Sequence, residues 1–253
     1  MSDAFDPLRA ALDGWAAAGR QARFWLRDDD AVDPGAALDR LLALGAAHRV
    51  PVTLAVIPQH TGSALADRLQ GRAVEVAVHG WSHADHAAPG RKSCELGPER
   101  SAPVVLHDLA QGLAQLTGLH GARAVPVLVP PWNRIDPGVI AGLRGLGFRG
   151  LSVFGPEPAG QPLPRINAHV DLIDWHGTRG GRDPAALVAG LVARLAVAET
   201  TGGHVGFMTH HLVHDSAAWA FIDRLLEITT AHPGCRWHSL SDLLAAAGQS
   251  SVT

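Results

Sequence analysis

The chain lacks the features that would send it to several large classes of protein. No run of about 18 uninterrupted apolar residues, the length a membrane-spanning helix needs, occurs in it. Its two cysteines, Cys94 and Cys235, stand far apart and form no CxxC pair, so they read as reduced structural thiols rather than a disulfide framework. There is no basic excess: 21 Lys and Arg against 24 Asp and Glu leave a net charge of -3. With a pI near 6.6, no face bids for phosphate backbones or anionic lipid, and no nucleic-acid partner is expected. The opening residues carry three acids, Asp3, Asp6 and Asp13, and no apolar core of a secretory signal, so the expected location is the cytoplasm. Low-complexity linkers and internal repeats are also missing. Tyrosine is absent, whereas histidine, a common metal ligand and proton carrier, occurs 15 times.

What is present suits one enzyme-sized globular domain spanning 1–253, with a core at about 22–247. Hydrophobic residues make up 47% and mean hydropathy is +0.08, enough for a sizeable core and too much for disorder. Short runs rich in Val, Ile, Leu and Phe at 23–26, 50–57, 74–78, 124–129, 150–154, 170–173 and 205–208 read as buried strands. Amphipathic segments at 34–47, 64–70, 102–117, 137–146, 184–198 and 217–231 read as helices, and a last helix is expected at 241–247. Pro34, Pro137 and Pro184 each follow an Asp, the pattern of an Asp N-cap with Pro in the first turn. The segments 86–101 and 155–167, rich in Gly, Pro and charge, read as surface loops. Seven strands alternating with helices predict an α/β fold, either a parallel sheet closing into a barrel or an open doubly wound sheet.

In parallel α/β folds, chemistry collects after the carboxyl ends of the strands. The first predicted strand ends in Arg27-Asp28-Asp29-Asp30, and the third in His79-Gly80-Trp81-Ser82-His83, with His86 beyond. The fourth runs into Pro130-Pro131-Trp132-Asn133-Arg134, the sixth into Asp174-Trp175-His176 and the seventh into Thr209-His210-His211. A histidine pair at i, i+4 arises about once by chance in so histidine-rich a chain. An acidic run is commonly a helix cap, but Asp33 is the better cap here, and adjacent carboxylates repel unless a cation or shared proton relieves them. Trp132 and Trp175 have an ordinary reading as packing residues. Two imidazoles and one carboxylate make a facial set for Zn²⁺ or a similar divalent metal, with positions left for water and substrate. That chemistry is hydrolysis of an acyl group, with a second carboxylate as general base and a histidine protonating the leaving nitrogen.

These residues, in this order, resemble the polysaccharide deacetylases, the NodB-homology carbohydrate esterases of family 4. The likeness runs from about Arg23 to His211. It implies a distorted (β/α)7-type barrel and a single domain. Asp29-Asp30-Ala31 resembles the first family motif and implies Asp29 as base and Asp30 as metal ligand, with Asp28-Asp29 the alternative register. His79 and His83 resemble the second and are implied as the imidazole ligands, with His86 supporting them. Pro130-Pro131-Trp132 resembles the third, although Val129 stands where the family has an arginine; Arg27 or Arg134 is the expected substitute. Asp171-Leu172-Ile173-Asp174-Trp175 resembles the fourth, with Asp174 expected to orient the acid histidine, which is His210 or His211, His210 preferred. Trp81, Pro131, Trp132 and Arg134 are the expected substrate contacts. The implied activity is removal of an N-acetyl or other N-acyl group from a sugar-like substrate, using one Zn²⁺ or, alternatively, Co²⁺, Ni²⁺ or Mn²⁺. The competing readings are an amide, imide or formyl hydrolase acting on a non-sugar molecule, and a carbohydrate-binding relative without catalysis. Oligomeric state is not legible in the sequence.

Overall fold

The protein was analysed as a computed structural model that describes residues 3–158 and 160–249. Its elements are α1 (Asp6–Ala17), β1 (Ala22–Ala31), α2 (Ala36–His48), β2 (Val52–Val56), α3 (Ser63–Arg68), β3 (Val74–His79), α4 (Ala102–His120) and β4 (Ala124–Val129). There follow α5 (Pro137–Leu143), β5 (Gly150–Leu151), β6 (Val170–Asp171), α6 (Pro184–Thr201), β7 (Val205–Thr209), α7 (Ser216–Ala231), β8 (Cys235–Trp237) and α8 (Leu240–Gln249). Strand order is β5-β4-β3-β2-β1-β7-β6, with β8 beside β1. Such a parallel order with helical crossovers is the distorted (β/α)7 type expected from the sequence.

The chain folds as two compact units, each discontinuous in sequence. The first takes residues up to Asp28, then Gly35–Val52 and Ala168–Ser239; the second takes Asp29–Pro34, Thr53–Asn167 and the chain from Leu240 onward. Strand β1 therefore supplies both, changing unit between Asp28 and Asp29. In the first unit β1 pairs in parallel with β7, and its register sets Arg27 opposite Met208 and Asp28 opposite Thr209. Helix α7 buries Trp219, Phe221, Ile222, Leu225 and Leu226 there, each such side chain contributing on the order of 1.5–3 kcal/mol. In the second unit β3 pairs in parallel with β4, His79 lying opposite Val129. Helix α4 buries Val105, Leu109 and Leu116.

The cap pattern holds at two of its three positions. Asp136 accepts from the Gly138 amide and Asp183 from the Ala186 amide, each before a helix that starts with proline. Asp33 caps nothing: Gly35, in extended backbone, precedes a helix that begins only at Ala36. Two elements, α1 and the short β8, go beyond those the sequence predicts. The strands expected at 150–154 and 170–173 pair over only two residues each. Both cysteines are free thiols, as expected. Helix α6 is long and apolar enough to cross a membrane by length and composition, yet it buries Leu187, Leu191, Leu195 and even Arg194 within the first unit.

Candidate metal and histidine sites

In the second unit, three of the expected residues converge. One ligand atom each from Asp30, His79 and His83 lies within 4.8 Å of the other two. His79 ends β3, and its Nδ1 faces the Val129 carbonyl at 2.9 Å. A carbonyl oxygen only accepts, so Nδ1 carries a proton and the neutral ring has its lone pair on Nε2. That Nε2 lies 3.0 Å from Asp30 Oδ1, and His83 Nε2 lies 3.3 Å from the same oxygen. The lone pair of His79 Nε2 aimed at a carboxylate oxygen needs a positive charge between the two, either a proton or a metal ion. Burial disfavours the charged form of His79 more than any other single influence. The Asp30 hydrogen bond, the charges of Asp29 and Asp30 and the Val129 carbonyl together outweigh it and raise its pKa. Burial, and next the charge of His79, lower the pKa of His83. The donor set is thus one that fits a divalent transition metal, with Asp29 buried beside it at 3% exposure.

The loop that carries His83 is built around a residue that no sequence motif singles out. Glu95 is fully buried. Its Oε1 accepts from the amides of Trp81 and Ser82, at 3.1 and 2.8 Å, and from the Ser82 hydroxyl at 3.1 Å. Its Oε2 accepts from the His83 amide at 3.2 Å. The 86–101 segment is therefore no simple surface excursion, since Glu95 and Leu96 lie in the interior. Gly80 permits the arrangement. Its φ is +60°, and a Cβ there would run into the Glu95 carboxylate and sit 2.7 Å from Pro131 Cγ. No local pattern marks Glu95, because all its partners are on a segment 12 to 14 residues away.

Backbone strain gathers at the same place. Six non-glycine residues have positive φ among the described residues, and four of them are Asp30, His83, Trp132 and Asn133. Trp132 packs its ring 4.3 Å from that of His83. Pro131, expected to touch substrate, is instead buried over Gly80. Arg134, expected either to touch substrate or to replace the family arginine, donates to the Ser93 carbonyl at 2.7 Å and ties down the loop. Trp81 is half-buried, its amide held by Glu95. His86 is exposed, and its amide donates to the Cys94 carbonyl.

In the first unit, the end of β7 forms a separate cluster. Asp28 is fully buried and pairs with His211, itself 2% exposed. Asp28 Oδ1 lies 2.5 Å from His211 Nδ1, while Oδ2 accepts from the Thr209 hydroxyl at 2.6 Å and the His211 amide at 2.8 Å. Burial alone would raise the Asp28 pKa; the His211 hydrogen bond and charge, with Thr209 and His210, overcome it and hold it below the usual value. Between the two clamped residues stands His210, with the edge of its ring against Trp175 at 4.7 Å. Trp175 in turn donates its indole N–H to Asp171 Oδ2 at 2.8 Å.

Asp174, expected to orient the acid histidine, does something else. Its carboxylate accepts from the amides of Gly177 and Thr178 and caps a tight turn. It is Asp171, three residues earlier in the same Asp-x-x-Asp-Trp segment, that reaches the histidine's neighbourhood through Trp175. Arg27, the other expected substitute for the family arginine, is fully buried with Nη2 2.8 Å from Met208 Sδ. His214 adds a further buried imidazole. Neither ring nitrogen has a hydrogen-bond partner, its edge packs on Trp219 at 4.4 Å, and burial depresses its pKa to about 4.

No protein-family model and no curated protein matches the sequence. Solved structures do. A Mycobacterium smegmatis protein assigned as a polysaccharide deacetylase superposes with a TM-score of 0.71 at 16% identity, over 93% of each chain. A peptidoglycan deacetylase from Bacillus subtilis gives 0.59 at 16% identity, covering 92% of this chain and 94% of its own. A family 4 acetyl xylan esterase from Clostridium thermocellum, solved with a cobalt ion, gives 0.56 at 16% identity, covering 89% and 92%. At these identities the likeness is one of fold, and the fold is the one that these deacetylases share.

Proposed function

We propose that the protein is a divalent-metal-dependent deacetylase that hydrolyses an N-acetyl or other N-acyl group on a sugar-like substrate, and that its 253 residues serve as one domain. The observation that carries this reading is the meeting of Asp30, His79 and His83, with the His79 Nδ1 proton spent on a backbone carbonyl so that Nε2 is left to bind a cation. The deacetylase fold supports it, and the cobalt ion held by the Clostridium thermocellum esterase favours a borderline metal such as Zn²⁺, Co²⁺, Ni²⁺ or Mn²⁺. Such an ion, when bound, supplies Lewis acidity toward a water molecule and the acyl oxygen.

The remaining steps belong to the chain's own groups. Asp29 takes the proton of the attacking water. As the C–N bond breaks, His210 returns a proton to the leaving nitrogen, because an amine anion is a very poor leaving group. Asp28 and His211 are committed to each other, which favours Asp29 over Asp28 as base and His210 over His211 as acid. Elemental analysis tests the metal: near-stoichiometric transition metal is expected in the protein and none in His79→Ala or His83→Ala. Asp29→Asn should keep the metal and lose acetate release from N-acetylated sugars by orders of magnitude. No metal uptake even on dialysis against Zn²⁺ would sink the proposal.

A further inference from the structure

Asp28 has no place in the proton transfers just described, yet it is a fully buried carboxylate with both oxygens engaged. Three donors converge on it: the Thr209 hydroxyl, the His211 amide and the His211 imidazole. Thr209 and His211 are the residues on either side of His210. The parallel register that sets Asp28 opposite Thr209 makes this possible, because it brings a β1 side chain level with the last residue of β7. Beyond Thr209 the strand ends; His210 leaves regular backbone at φ -143° and ψ +87°, and a single 3-10 turn begins at His211. Nothing in strand pairing fixes the backbone at such a junction, so another group must. A fully buried acceptor bonded to both flanks fixes it.

We infer that Asp28 is a positioning residue: by bonding Thr209 and His211 it clamps the end of β7 and sets where the His210 imidazole stands. The inference rests on the acid role given to His210. It makes the first aspartate of the Asp-Asp-Asp run neither a base nor a metal ligand, but the fastener of a histidine 182 positions along the chain.

The test is the pair Asp28→Asn and Asp28→Ala in the full chain loaded with Zn²⁺. Asn presents its oxygen to Thr209 and the His211 amide, and its NH₂ to His211 Nδ1. That nitrogen then accepts and moves its proton to Nε2, so every bond of the clamp survives a change of tautomer. Ala removes all three acceptor contacts. Expected is a kcat within about threefold of the unsubstituted protein for Asn and about 100-fold lower for Ala, as displacement of a catalytic group by about 1 Å costs. KM and zinc content should stay unchanged in both.

Histidine ring NMR gives a readout free of turnover. The His210 resonances should hold in Asn and move in Ala. Asn as inactive as Ala, with zinc bound and the His210 resonances unmoved, would make Asp28 a proton-transfer group and overturn the inference. His210 resonances identical in all three proteins would overturn it as well. Should Ala fail to fold, Thr209→Val removes one donor at nearly constant shape, and an unmoved His210 signal there would equally overturn the inference. Absence of turnover from every protein, the unsubstituted one included, counts against the deacetylase reading alone.

Discussion

Glu95→Gln isolates the device that holds the second imidazole. The carboxylate accepts four hydrogen bonds, three on Oε1 and one, from the His83 amide, on Oε2. An amide side chain has one oxygen. Placed at Oε1 it keeps the three bonds to Trp81 and Ser82, and its NH₂ then confronts the His83 N–H, donor against donor. A buried donor left without an acceptor costs about 1–3 kcal/mol, and here the cost falls on the backbone of a residue already held at φ +58°. If it passes wholly into metal binding, at about 1.4 kcal/mol per decade, zinc affinity falls between about fivefold and 150-fold. Outer partners of metal ligands in general are worth about 10–100-fold, so the expected loss lies in that span. Competition against a chromophoric chelator measures the dissociation constant, and thermal melting of the zinc-free protein measures the fold separately. A lowered melting point with zinc affinity within about twofold of the original would refute the reasoning, since Glu95 would then serve stability alone.

Stability should climb with pH between about 4 and 6.5. Burial depresses the imidazoles of His120 and His214 to about 4, whereas in the unfolded chain they titrate near 6.5. Over that window the unfolded state binds more protons, so their contribution is fully present above about 6.5 and lost as pH falls toward 4. A melting series from pH 4 to 7 checks it, with His120→Gln flattening the slope; equal slopes in both proteins would contradict it. Arg49→Gly should stabilise by about 0.5–1 kcal/mol, because Arg49 is the left-handed cap of α2 at φ +56° and glycine meets no penalty there. Denaturant melts with unaltered turnover are expected, and a destabilised variant would show that the Arg49 side chain holds something in place.

The strands and most helices are legible in the sequence because their signals are local: apolar runs of four to eight residues, and Asp-Pro before helical stretches. The same logic misplaces the start of α2, where Gly35 delays the helix and leaves Asp33 idle. Helix α1 also carries a readable signal, its buried Leu8, Leu12 and Trp15 recurring at helical spacing. For the site, ligand types at strand ends bring out His79, His83 and the Asp28–Asp30 run, and it is the family resemblance that singles out Asp30 within that run. What stays hidden depends on chain paths that no spacing encodes. Glu95 works through backbone amides across a loop with no regular structure. Asp171 and Asp174 share one motif, and only the turn at residues 174–178 decides which of them faces the histidine and which is spent on its own loop.

The left-handed backbone at Asp30, His83, Trp132 and Asn133 bears on how this protein could be improved. Each such residue is held at a cost of about 1–3 kcal/mol by its surroundings, so glycine at any of these four positions relieves strain and is expected to raise the melting temperature. They also include two of the three candidate metal ligands and the tryptophan packed on one of them. A laboratory selection for heat tolerance alone would drift toward variants relaxed at these four positions, robust and inert. Selection on turnover should be imposed from the first round, and the ordinary helices, such as the one Arg49 ends, are the better ground for gains in robustness.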